Sequence, residues 1–264
     1  MKILSYNIRH GGVGRAAAIA DVIAQASPDV VILQEATRAS VVADLGAKLS
    51  MQAVAADRQS LGFLSRVPIA HFAWHRPRVS RHAFLEVQPQ GTPFRIFGLH
   101  LSAVHSAWTE QRRTLELRAL LRGIAAHQHG FHVLVGDFNT LAPGELLDVG
   151  QLPARLRALV WLSGGRIRWR TIRRVLDAGY LDAFRTLHPD APGLTFPVWN
   201  PHIRLDYLFV PSAWRAALVG SEVVTSGPVQ HASDHLPLLT ELLIEGAPVP
   251  ELPADSFEET PSSL

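Results

Sequence analysis

The chain contains no cysteine. Disulfides, thiolate nucleophiles and thiolate zinc sites are thereby excluded, and any metal must be held by oxygen or imidazole, which points to a hard cation. Also missing is any apolar run near the ~18 residues of a membrane span, and the first twelve residues read as a strand and turn rather than an export signal. The cytoplasm is the expected compartment. No internal repeat, dividing linker or low-complexity segment interrupts residues 1–245, which we read as one domain. Residues 246–264 form an acidic Pro- and Ser-rich tail with the composition of a disordered segment.

Acidic residues are scarce in one place. Between Asp148 and Asp177 there is none, yet the stretch holds Arg155, Arg157, Arg166, Arg168, Arg170, Arg173 and Arg174. From Glu245 onward there are five acids and no base, so residues 1–244 carry 25 basic side chains against 18 acidic ones. The surplus equals those seven arginines, so the rest of the body is near neutral. A surplus gathered in one segment is what an anionic or phosphate-rich partner needs.

What is present supports a large α/β fold: 264 residues, 47% hydrophobic, can bury a substantial core. The run His132 to Thr140, HVLVGDFNT, has the β-branched core of a doubly covered strand and ends in polar residues. If the extended conformation continues, Asp137 and Asn139 leave the chain on the same side. Earlier, Ile3 to Asn7 and Asp29 to Glu35 are apolar runs with polar finishing ends. Between them Ile19, Val22, Ile23 and Ala26 form a helical stripe. This β-helix-β unit implies parallel pairing, which makes Asn7 and Glu35 neighbours at the carboxyl ends of strands, where ligands collect.

Segments 61–66, 69–74, 82–87 and 94–101 read as short antiparallel strands separated by proline turns, so the sheet is mixed. The last of these ends at His100 and leads into a helix over 106–128, whose Arg112, Arg113, Arg118 and Arg122 we assign to the solvated face. Arg166, Arg170, Arg173 and Arg174 share one face of a helix over 166–176, with Trp169, Ile172, Val175 and Leu176 on the other. That helix is either a plain amphipathic surface element or a clamp on phosphate or on an anionic membrane surface, the last through residues 154–176. Asp206 sits among Leu205, Tyr207 and Leu208; a buried carboxylate there costs several kcal/mol and calls for a cationic or donor partner, such as a histidine.

Six short motifs occur in order: NIR at 7–9, LQE at 33–35, GLHL at 98–101, GDFN at 136–139, RLDYLF at 204–209 and SDHLP at 233–237. Together they resemble the endonuclease/exonuclease/phosphatase superfamily, over residues 1 to about 244. The resemblance implies a four-layered α/β sandwich of two packed mixed β-sheets, with helices on the outer faces and the site at one sheet edge. It implies Mg²⁺, or Mn²⁺, held by Glu35 with Asn7 and Asp234 beside it. Asp137 then orients or deprotonates water, Asn139 holds a nonbridging oxygen, and Asp206 fixes the tautomer of His235, which is base or transition-state stabiliser. His100 is similar to the histidine of deoxyribonuclease I-like, sphingomyelinase-like and phosphatase members, where exonuclease III-type enzymes place a tyrosine.

The implied reaction is hydrolysis of a phosphoester by in-line attack of water. Nucleic acid is the favoured substrate, with Arg166, Arg170, Arg173 and Arg174 along its backbone, and the chain is expected to act as a monomer. A lipid headgroup or small phosphoester at a membrane surface is the second reading, and a catalytically silent phosphate-binding module the third.

Overall fold

A computed structural model of the chain describes residues 1–56, 59–78, 80, 82–103, 107–128, 130–145, 148–151, 154–162 and 169–244. The acidic tail and Arg166 lie outside the described residues. In chain order the elements begin with β1 (Lys2–Asn7), α1 (Ala16–Ala26), β2 (Val30–Gln34), α2 (Ala39–Leu49), β3 (Gln52–Ala55) and β4 (Leu61–Ser65). There follow β5 (Ile69–His75), β6 (Phe84–Pro89), β7 (Arg95–His100), α3 (Ala107–Ala125) and β8 (His132–Asp137). The chain continues with α4 (Ala154–Leu162), α5 (Thr171–Asp177), β9 (Tyr180–Asp182), α6 (Ala183–Leu187) and β10 (Asp206–Pro211). It closes with β11 (Leu218–Val223), α7 (Val229–Ala232) and β12 (Leu238–Leu242).

Two six-stranded sheets result, in the orders β11-β12-β1-β2-β4-β3 and β5-β6-β7-β8-β10-β9. Each is mixed in the same way. One parallel pair, β1 with β2 or β7 with β8, is the product of a β-helix-β unit, and antiparallel strands flank it. Alternation along each strand separates two faces. Leu4, Tyr6, Val31 and Leu33 turn outward onto Ile19, Val22 and Ile23 of α1 and Val42 and Leu45 of α2. Phe97, Leu99, Leu134 and Phe209 turn outward onto Leu117, Leu120 and Ile124 of α3 and Ile172 and Val175 of α5. The opposite faces meet: Ile3, Val30 and Ile32 of the first sheet pack on Val87, Ile96, Val133, Val135 and Leu208 of the second. The molecule is therefore a four-layered α/β sandwich.

Several sequence expectations change. The helix expected over 166–176 begins only at Thr171, because Glu110 accepts from the backbone N–H groups of both Arg170 and Thr171 and fixes the start there. Arg113, assigned to a solvated face, is fully buried, since its guanidinium pairs with Glu110 at 3.1 Å and donates to the Ser102 carbonyl. The short strands β3 and β9 and the helix α4 were not anticipated. No described helix is long and apolar enough to cross a membrane.

Candidate active site

The seam between the sheets runs out at one rim, and strand parity decides which polar side chains fall into it. In β1, Ile3 faces the seam and so, four residues on, does Asn7. In β7 Ile96 and Gly98 lead to His100, in β8 Val133 and Val135 lead to Asp137, and in β10 Asp206 precedes Leu208 and Val210 on the same face. A Cβ on Gly98 would lie 2.7 Å from Ile32 of the other sheet, so the sheets close tightly just below the rim. Gly136 has φ +148°, and a side chain there would run into the backbone carbonyl of Leu99. Without that glycine β7 and β8 could not bring His100 level with Asp137, its registered partner.

The outcome is one connected group of side chains. Asn7 Nδ2 donates to Asp137 Oδ2 at 3.0 Å and to Glu35 Oε1 at 3.3 Å. Asp137 Oδ2 lies 3.9 Å from Nε2 of His100 and 3.9 Å from Nε2 of His235. His235 Nδ1 is 2.9 Å from Asp206 Oδ2, which supplies the partner that the buried acid demanded. Asp206 is, however, the first residue of β10 rather than a mid-strand residue, and it sits directly opposite Asp137. Asp234 joins through Arg9, whose Nε is 3.3 Å from its carboxylate while the Arg9 backbone N–H donates to Asn7 Oδ1. His235 is clamped from outside: Phe196 packs on its ring at 4.8 Å, and the flanking backbone bonds Val198 N–H to Asp234 and Leu236 N–H to Thr195.

Asn139 departs from expectation. Its φ is +52°, so the extended conformation ends before it and its side chain does not follow that of Asp137. Its amide donates to the Leu101 carbonyl and its backbone N–H to Asp137 Oδ1, so it holds neighbouring chain in place. Arg170, Arg173 and Arg174 are exposed and outside the seam. Of the three, Arg170 alone is tied toward the rim, through its backbone N–H to Glu110, whose other oxygen accepts from the hydroxyl of Thr140. Sequence reasoning missed Glu110. It also missed a buried network beneath the rim, in which Arg204 is 2.7 Å from both Glu145 and Asp182 and lies 4.4 Å over the Tyr207 ring. Tyr207 hydroxyl in turn donates to the Thr140 carbonyl. Arginine in RLDYLF was the only available signal.

Burial sets the electrostatics. Desolvation raises Asp137 to about 7, against the lowering effect of His235 and of the hydrogen bonds from Asn7 and Asn139. Burial alone would lower His235, but Asp206 and Asp137 on either side outweigh it and push its value up, so the ring favours the imidazolium form. His100 moves the other way, lowered by burial and by the nearby His235 despite Glu35 and Asp206. Glu35 is lowered too: its burial would raise it, but the His10 N–H, His100 and Asn7 prevail.

Whether these residues suit a hard divalent cation can be judged from their donors. Glu35 is a 30% exposed carboxylate kept ionised at the mouth, with the amide oxygen of Asn7 and the 18% exposed carboxylate of Asp234 nearby, a set of oxygens that fits such an ion. Deeper in, Asp137, Asp206 and His235 hold one ligand-type atom each within 4.8 Å of one another.

Family comparison agrees with this fold. The profile of the Endonuclease/Exonuclease/phosphatase family matches residues 4–235. The chain belongs to that family of phosphoester hydrolases. A 3′-phosphatase, NExo from Neisseria bound to product DNA hairpin, superposes with a TM-score of 0.69 at 20% identity, over 92% of this chain and 99% of that one. An AP endonuclease from Archaeoglobus fulgidus gives 0.68 at 15% identity over 92% and 99%, and a humanized D. rerio TDP2 gives 0.62 at 20% over 91% and 97%. At these identities the likeness establishes the fold. No curated protein matches the chain significantly in sequence.

Proposed function

We propose that the protein is a Mg²⁺- or Mn²⁺-dependent phosphodiesterase that cleaves nucleic acid by in-line attack of water on phosphorus. The observation that carries this is the position of Asp137: one buried carboxylate with the Asn7 amide at 3.0 Å and two imidazole nitrogens at 3.9 Å. An acceptor for a water proton surrounded by donors for phosphate oxygens is what such a reaction requires.

Asp137, raised to about 7, orients the water and takes its proton as the water oxygen bonds to phosphorus and the ester bond breaks. His235, held by Asp206 and favouring its charged form, neutralises charge that builds on the phosphoryl oxygens. His100 favours its neutral form and presents an N–H to the phosphate. Asn7 orients Asp137, and Asn139 is a positioning residue for Asp137 and for the chain beyond β7. When bound, the metal, held by Glu35 with Asn7 and Asp234 beside it, supplies Lewis-acid charge for the phosphate and the leaving group.

Nucleic acid is favoured by the exposed Arg170, Arg173 and Arg174 next to the Glu110 anchor, and by Arg166 of the same acid-free segment. The DNA hairpin named with the Neisseria relative of the same fold supports that choice. In this reading the enzyme acts as a monomeric single domain in the cytoplasm, on the deoxyribonuclease I-like or sphingomyelinase-like side of the family. Plasmid nicking and hydrolysis of a chromogenic diester and monoester, each with Mg²⁺ and with EDTA, test it. Nicking and diester turnover that stop in EDTA are expected. Turnover in EDTA contradicts the metal, and pelleting with anionic liposomes without nicking moves the substrate to a lipid headgroup.

A further inference from the structure

Away from the mouth, the described residues bring together one other group of histidines and a carboxylate with metal-ligand spacing. His75 ends β5, Glu86 lies in β6, and His127 follows α3 in the turn that leads to β8. In the antiparallel register Ala73 faces Glu86 and His75 faces Phe84, so His75 and Glu86 are diagonal neighbours on the face covered by α3. Glu86 Oε2 lies 2.7 Å from His75 Nε2 and 3.7 Å from His127 Nδ1. The two imidazole centroids are 3.9 Å apart.

We propose that His75, Glu86 and His127 form a second metal site, selective for a borderline divalent transition ion of the Zn²⁺ class. Three arguments support it. Two imidazoles and one carboxylate are a frequent zinc donor set, whereas Mg²⁺ prefers oxygen, so this site and the oxygen-rich mouth sort different ions. The three donor atoms already lie within 4.8 Å of one another; ligand atoms around tetrahedral zinc stand roughly 3.3–3.4 Å apart, so the His75–Glu86 pair at 2.7 Å would open slightly and the His127–Glu86 pair at 3.7 Å close slightly, shifts within reach of side chains. Finally, Glu86 is fully buried and its other oxygen is paired with Arg95, so Oε2 is held in place while the rings converge on it.

The fourth position opens onto a cavity of about 640 Å³ lined in part by Arg76, Arg78 and Arg122. That neighbourhood would hold an anion or water on the metal rather than a fourth protein ligand. A hydrogen-bonded triad with no metal is the competing account.

Co²⁺ titration of the full chain, in excess Mg²⁺, with visible absorption as the readout decides between them. One equivalent of Co²⁺ should give d–d bands that Zn²⁺ removes and further Mg²⁺ does not. His127→Ala should abolish the bands and leave diester turnover unchanged, while Asp137→Asn, a change at the mouth, should leave the bands intact. Bands that persist in His127→Ala, or their absence in the wild type, overturn the site. Should His127→Ala not fold, a Zn²⁺-induced rise in melting temperature present in the wild type and lost in His127→Gln supports the site, and an equal rise in both rejects it. Since the deciding readouts are the Co²⁺ bands and the Zn²⁺-induced melting shift rather than turnover, failure here is distinct from failure of the phosphodiesterase reading.

Discussion

Glu35 and Asp137 share one hydrogen-bond donor, the amide of Asn7, and are nonetheless driven in opposite directions. Glu35 belongs to the rim of the first sheet, where the chain has left β2 with φ +55°, the His10 N–H donates to it, and solvent reaches it. Its value is lowered. Asp137 belongs to the rim of the second sheet, fully buried in the seam opposite Asp206, and its value is raised. Residue type therefore does not assign roles here. Solvent and backbone donors favour the ionised form of one carboxylate, and burial brings the other to titrate near neutral pH; under the proposed function the first faces the cation and the second takes the water proton.

Three substitutions test that contrast, from the largest effect to the smallest, and a titration then tests the same effect of burial elsewhere in the fold. His235→Ala removes the charge facing Asp137 and should cost roughly 10²–10³ in kcat on a diester. A loss under tenfold would remove His235 from the transition state. Glu35→Gln should act on the metal instead, raising the Mg²⁺ needed for half-maximal rate by more than the roughly 10–100-fold typical of losing an outer-shell partner. An unchanged Mg²⁺ dependence places the ion elsewhere.

Asp206→Asn keeps the shape but removes the largest influence raising His235. The imidazolium should then deprotonate at lower pH, so the alkaline limb of the rate profile moves to lower pH. A limb that stays in place would show that His235 does not govern it.

The smallest effect is on stability and lies away from the mouth. His132 is buried on β8 between the Gly130 carbonyl and the Tyr180 hydroxyl, and burial lowers it from 6.5. The fold thus prefers the neutral ring: its contribution is whole above pH 6.5 and is lost as pH falls below 6.5 toward the folded value. Urea midpoints measured from about pH 7 down to about pH 5 should fall less steeply in His132→Phe than in the wild type, and parallel slopes would contradict this.

Much of the fold was legible because its strands are apolar runs with clear punctuation. β1, β2, β7 and β8 were evident from their residues, as was the parallel pairing of the first unit. β9, three residues long, and β3, four residues straight after α2, offer too little pattern to separate from loop. Arg113 was misplaced because helical spacing reports a face and not a partner, and Glu110 converts that position into a buried pair. The mouth was legible as separate polar strand tips. Spacing alone could not bring them together, because the contact between Asn7 and Asp137 spans two sheets, and its assembly came from the family motifs. Asn139 shows the limit most plainly: two residues apart means a shared side only while the strand lasts, and the backbone turns at Asn139.

The most direct test of the account is single-turnover hydrolysis of a phosphodiester by Asp137→Asn beside the wild type, in saturating Mg²⁺. If the buried acid between the two imidazoles receives the water proton, the rate should fall by about 10²–10⁴ while substrate affinity is maintained. An undiminished rate would show that the chemistry lies elsewhere and that the seam is only structural.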